Sequence, residues 1–169
     1  MTEPRIQHPI VRNRKKSSIP LSKLRTSEAV KTVVDHPRRL QELLRMLEDK
    51  DLGVRGRAAV ALAQLSDYHP ARLVRVAARL RESLKDDSAY VRWHLLYTLG
   101  RVGEKFPNQV RPLLPDLVLL LEDENRICRI LAGKALGQVA DRRPAFIEEC
   151  FRSLKKEIPA SLIRGRRSS

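Results

Sequence analysis

The chain has little of what marks a catalytic or a secreted protein. Aromatic residues make up 4% of its 169 residues, with one tryptophan and three tyrosines. A core must therefore be built from Leu, Val, Ala and Ile, and a supply of Ala and Leu favours helix. There are two cysteines, Cys128 and Cys150, with no C-x-x-C pair and no histidine at ligand spacing, so neither a disulfide framework nor a zinc site is indicated. No apolar run has signal-peptide length or approaches the ~20 residues of a membrane span. The expected location is intracellular: the cytoplasm, or the nucleus if the source is eukaryotic. Nucleophile elbow, phosphate loop and metal cluster are all missing from the sequence. The expectation is a protein that binds rather than catalyses, without cofactor or metal.

Acidic residues are scarce at both ends, and this decides how the net charge of +14 is read. Residues 1–25 carry seven basic side chains against Glu3, and residues 152–169 carry six against Glu157. The middle is close to balanced and reads as an ordinary solvated surface. Residues 1–25 and 158–169 are expected to be basic, disordered tails flanking a folded region over 26–157. Arg12, Arg14, Lys15 and Lys16 in the first tail, and Arg164, Arg166 and Arg167 in the second, are candidates for salt-sensitive contact with nucleic-acid phosphates. The alternative is that they only solubilise the chain.

What the middle has is repetition. At a shift of 37 residues Leu47, Leu84 and Leu121 align, then Asp49, Asp86 and Asp123, then Val54, Val91 and Cys128, then Arg55, Arg92 and Arg129. Leu62, Leu99 and Leu136 continue the match, and Pro70, Pro107 and Pro144 close it. Asp51, Ser88 and Asn125 share a column of residue types whose side chains cap helix starts. After each cap the apolar residues recur at one-sided helical spacing. The prolines suit the first turn of the next helix, where a missing amide costs nothing. The unit is helix A, an acidic turn, then helix B. Full units are predicted over 37–66, 70–104 and 107–140, with A helices at 37–49, 70–85 and 107–122 and B helices at 52–66, 89–104 and 126–140. Half-units over 27–35 and 144–157 cap the ends, as an array requires. Pro112 and Pro115 predict that the third A helix is kinked or starts late.

The turns Asp49-Lys50-Asp51-Leu52-Gly53-Val54-Arg55, Asp86-Asp87-Ser88-Ala89-Tyr90-Val91-Arg92 and Asp123-Glu124-Asn125-Arg126-Ile127-Cys128-Arg129 resemble those of HEAT repeats. The resemblance spans roughly 37–157 and implies an all-α fold, an α-solenoid of helix pairs. It also implies that Asp49, Asp86 and Asp123 bond to Arg55, Arg92 and Arg129 between neighbouring units, which makes those residues structural. The family hosts scaffolds, nuclear transport factors, chromosome-organising subunits and a few enzymes, so the fold leaves function open. Hydroxylases built on such repeats use His-Glu pairs as iron ligands, whereas here His8, His36 and His69 precede prolines and His94 precedes Leu95. A DNA glycosylase of this fold is a remote alternative, since few acids accompany the aromatics.

On the second B helix the core positions 91, 95, 98, 99 and 102 share one direction, and Tyr90, Trp93, Tyr97 and Arg101 lie about 140° away at ~100° per residue. The first unit has Gly53, Gly56, Val60 and Gln64 at these places, and the third has Ile127, Ile130, Lys134 and Gln138. Tyr90, Trp93, Tyr97, Arg101, Ile130 and Lys134 are therefore the candidate partner-binding residues, on what arrays of this kind present as their concave face. The competing reading turns Trp93 and Tyr90 sideways to pack between the first and third B helices, filling the space left by the glycines, with Trp93 over Gly56. The expected partner is a protein or peptide on this face, with nucleic acid at the tails as the alternative and no membrane. The chain itself is expected to be a monomer or a weak homo-oligomer.

Overall fold

The computed structural model describes residues 19–157, and among them the secondary structure is helical, with no strand. Eight α-helices follow in order, separated by short 3-10 turns: α1 (Thr26–Asp35), α2 (Leu40–Met46), α3 (Leu52–Tyr68), α4 (Ala89–Lys105), α5 (Pro107–Val110), α6 (Leu114–Leu119), α7 (Arg126–Arg142) and α8 (Pro144–Glu157). The three B helices α3, α4 and α7 have 17 residues each and start at equivalent places in the repeat. They pack side by side, α4 against both neighbours, while α1 packs on α3 and α8 on α7. A continuous apolar core runs from Leu21 to Cys150, with Leu62, Leu99 and Val139 at its middle and fully buried.

Local chemistry explains where the B helices start. Asp51 accepts a hydrogen bond from the Gly53 amide at 2.6 Å, and Asn125 accepts from Ile127 at 2.9 Å and Cys128 at 3.3 Å. Ser88, expected to do the same, makes no side-chain cap. Its turn is held instead by Asp86, whose carboxylate accepts from the Ser88 amide at 2.8 Å. Asp49 and Asp123 do likewise for Asp51 and Asn125, at 2.9 and 2.8 Å. The aspartate two residues ahead thus organises every turn, and a cap on the next residue is an addition.

The A helices depart from their predicted form. The second, expected as a helix over 70–85, is wound as 3-10 segments at Pro70–Arg72, Ala77–Leu80 and Glu82–Lys85. Leu73, Ala77, Leu80 and Leu84 still point into the core, because a spacing of three or four residues serves the tighter winding as well. The third is broken at its prolines into α5, a 3-10 turn Arg111–Leu113, α6 and a 3-10 turn Leu120–Glu122. Each proline removes an amide and crowds the preceding turn. α8 is a continuous helix, tied back by Arg111, which donates to Glu149 at 2.7 Å and lies 4.7 Å over the Phe146 ring. At the N-terminal side, residues expected to belong to a tail join the core. Leu21 is buried, its amide donates to Glu42 at 2.6 Å, and Arg39 reaches the Ile19 carbonyl at 2.6 Å.

Between units a ladder of ion pairs runs past the turns. Arg55 donates through Nη1 to the carbonyls of Asp49 and Lys50 in its own unit, both at 3.1 Å, and through Nε to Asp86 of the next at 2.7 Å. Arg92 repeats this with Asp86 and Asp87 carbonyls at 2.7 and 3.2 Å and with Asp123 at 2.8 and 2.9 Å. Burial pushes the Asp123 carboxyl up, but the Arg92 guanidinium and the Asn125 amide outweigh it and hold it below the ordinary carboxylate range. Asp86 is held low in the same way by Arg55 and the Ser88 amide.

Two outcomes follow for stability. Leu99→Ala should cost about 2–5 kcal/mol in denaturant unfolding, because both neighbours wall in the cavity it leaves. Since Asp123 has a lower pKa folded than unfolded, its contribution is present at neutral pH. It is lost as pH falls below the unfolded value of about 3.9 and through the folded one. The stability gap between the native chain and Asp123→Asn should be wide at pH 7 and close toward pH 2; a gap independent of pH would remove the charge from the argument.

Candidate partner-binding face

The B helices turn one face away from the A helices, and 37-residue stacking puts equivalent residues side by side on it. Near the helix starts the columns read Gly53, Tyr90, Ile127 and then Gly56, Trp93, Ile130. Tyr90 is 48% exposed, Ile127 42% and Ile130 57%, and Leu52 beside them is 49% exposed. Four large apolar side chains on three successive helices are thus left open to solvent in the first two turns. Lys134 is exposed one turn further along α7.

The two glycines of α3 leave room that a side chain would fill. A cleft of about 330 Å³ opens there, lined by Leu52, Gly53, Gly56, Arg57, Val60 and Tyr90 together with Thr26 and Ser88. Tyr90 forms one wall, and a Cβ on Gly56 would lie 3.3 Å from its ring. Of the two rings that the competing reading packs into the space left by the glycines, it is Tyr90 that lies over Gly56, where Trp93 was expected. Trp93 leans against the core, half-buried, with its ring centroid 5.6 Å from Tyr90. Its buried indole N–H has no hydrogen-bond partner among the described residues.

His94 completes the cluster, with its ring centroid 4.5 Å from Tyr90 and 5.1 Å, edge-on, from Trp93. Its Nδ1 lies 2.7 Å from the Tyr90 carbonyl. Sequence reasoning passed over His94 as a partner-face residue, although its position four after Tyr90 was a usable signal. It also passed over Leu52 and the cleft, which no pattern of large residues would reveal because small ones make it.

Further along, the face is polar and closed on itself. Tyr97 donates to Asp67 at 2.6 Å, which with burial raises the phenol above its ordinary range. Arg101 donates to Glu104 at 2.8 Å, and its Nε lies 3.3 Å from the Asp67 carboxylate without the alignment of a hydrogen bond. Gln138 donates to Glu104 at 3.3 Å. Tyr97 and Arg101 therefore tie α4 to α3 through Asp67, and Glu104 ties α4 to α7 through Gln138. The tail candidates Arg12, Arg14, Lys15, Lys16, Arg164, Arg166 and Arg167 lie outside the described residues. Cys128, in the column of two valines, is buried, and burial pushes its thiol up. No helix of the described residues is long and apolar enough to cross a membrane, and no group of His, Cys, Asp and Glu among them could hold a metal.

The family model for the HEAT-like repeat matches residues 89–139. Among solved structures the chain is similar to a designed armadillo repeat protein in complex with the peptide (KR)4, at a TM-score of 0.56 and 20% identity. The similarity covers 81% of this chain and 61% of that one, so the chain spans about three fifths of the designed protein's length. No curated protein matches the sequence. The fold of the described residues is thus an α-solenoid of stacked helix pairs, and residues 89–139 are similar to the HEAT-like repeat.

Proposed function

We propose that this chain is a non-catalytic scaffold that holds a peptide or a helix of another protein across the helix-B face. The observation that carries the reading is the set of exposed apolar side chains Leu52, Tyr90, Ile127 and Ile130 near the starts of three successive B helices, beside the glycine-floored cleft. Such side chains stay exposed at a cost, and clustered apolar exposure with aromatic anchors is what binding surfaces have. The cleft accepts one large side chain of the partner. The polar half of the face, already paired, keeps the three helices fixed while the apolar half binds. A fold shared with a designed protein solved with a peptide is consistent with such use.

Truncation separates this role from a structural one. Tyr90→Ala and Ile130→Ala should each shift stability by about 1 kcal/mol or less and weaken partner binding by about 2 kcal/mol or more in calorimetric titration. Stable variants that still hold every partner recovered from nuclease-treated lysate would overturn the reading. Partners lost on nuclease treatment or in added salt would move the interaction to phosphate contacts.

Trp93 should behave differently from its neighbours. Its emission in the free protein should lie to the blue of an exposed indole, and Trp93→Ala should cost about 3 kcal/mol of stability. Red emission that iodide quenches readily would contradict the packing described above.

A further inference from the structure

The array is finished differently at its two ends. At the first, α1 buries Ala29 and Val33 and turns Ser27, Glu28, Lys31 and Asp35 to solvent. That is the polar outer face a terminal unit needs. At the other, α8 stands as the A helix of a fourth unit, with no B helix beside it among the described residues.

The repeat itself shows what is uncovered there. Leu40, Ala77 and Leu114 are buried in their column, while Phe151 in the same column is 42% exposed. Ala59 and Leu96 are fully buried, and Gly133, their equivalent on α7, is exposed. Ala63 and Gly100 are buried, whereas Gly137 is exposed. At Gly100 a Cβ would crowd the Gln138 side-chain oxygen and touch the Ala135 backbone at 3.4 Å, so α7 fills the room beside that glycine. At Gly137, in the same column, a Cβ would meet nothing within 4 Å. A mid-helix glycine weakens a helix relative to alanine, and nothing in the described chain uses the room this one leaves.

Arg129 supplies the chemistry of what fits. Its Nη1 bonds the carbonyls of Asp123 and Glu124 at 2.6 and 3.0 Å, as Arg55 and Arg92 bond theirs. In those two the remaining guanidinium edge meets an acidic pair just ahead of the next B helix, Asp86 with Asp87 and Asp123 with Glu124. The Arg129 edge meets no carboxylate among the described residues. We propose that the groove between α7 and α8 is a docking seat for an amphipathic helix of a partner protein led by an acidic pair, which completes the fourth unit. Residues 158–169 of this chain are poorly matched to it, since they contain no acid and place Ala160 in the column of Asp123. A second copy is poorly matched too, because its acid-led helices α3, α4 and α7 are packed within its own array. This seat is separate from the helix-B face, and either proposal can fail without the other.

The test uses a fluorescein-labelled peptide of residues 121–142, an acid-led B helix of the required kind, titrated with the full chain and followed by anisotropy. Saturable binding is expected, weakened at least tenfold by Arg129→Glu and by Gly137→Leu and unchanged by Tyr90→Ala. Both substituted residues are exposed, so thermal melts should stay close to those of the native chain. A peptide with Asp123→Arg should recover affinity for the Arg129→Glu chain, which a general loss of structure would not allow. Absence of binding, or equal affinity in both variants, would overturn the proposal. So would tighter binding after Leu162→Asp with Ile163→Asp, which would mean that the chain's own segment fills the seat. A concentration-dependent dimer abolished by Gly137→Leu would assign the seat to a second copy and overturn it as well.

Discussion

One guanidinium holding two units at once is the constraint on which the rest of this structure depends. Arg92 grips the carbonyls of the turn before its own helix with one nitrogen and the carboxylate of the next turn, 31 residues on, with the others. An ion pair this buried loses much of its Coulomb energy to desolvation, so its value lies less in net stability than in the offset it enforces. Each aspartate also accepts an amide of its own turn, so the carboxylate is aimed before the arginine arrives. Stacking by a different offset would leave a buried charge alone. Apolar packing of Leu and Ala alone would tolerate several offsets; the ladder admits one.

With the offset set, the surface is written column by column. Residues far apart in sequence become neighbours across helices because the period is constant. Glycines on α3, aromatics on α4 and isoleucines on α7 therefore form one strip with a cleft at one side. The same register decides the interior. At Gly103, where a Cβ would come within 2.7 Å of the Val139 side chain, the absence of a side chain lets α7 lie close against α4.

Legibility in the sequence followed the strength of the local signal. The B helices start as read because the turn aspartates and the cap column act within two or three residues and leave a repeated trace; their ends run about two residues past the predicted ones. The A helices were legible as buried faces but not as windings, since an apolar spacing of three or four fits 3-10 and α geometry alike. Ser88 shows the limit of reading by residue type: the column suggested a cap, yet the turn is held by the Asp86 carboxylate on the Ser88 amide with no side-chain cap added. Leu21 and Ile19 carry no periodicity, so their docking on α2 through Glu42 and Arg39 depends on tertiary contacts that no local pattern encodes. On the helix-B face, Tyr90 and Ile130 were legible from angle alone. Whether Tyr90 or Trp93 covered Gly56 was not, because that depends on which ring reaches the neighbouring helix first.

The two halves of the helix-B face differ in a way that bears on use. In the far half Asp67, Tyr97, Arg101, Glu104 and Gln138 are linked by hydrogen bonds and an ion pair across three helices. The bond from Tyr97 to Asp67, with burial, raises the phenol above its ordinary range, so the donor side of this contact keeps its proton. In the near half Leu52, Tyr90, Ile127 and Ile130 are exposed, and a buried indole N–H has no acceptor among the described residues. Groups with shifted pKa values usually point to chemistry when a cleft surrounds them. Here the shifted arginines and aspartates lie in the ladder, and the causes are the very contacts that stack the units. Charge in this array is committed to holding its geometry, and the exposed apolar surface of Leu52, Tyr90, Ile127 and Ile130 lies apart from it.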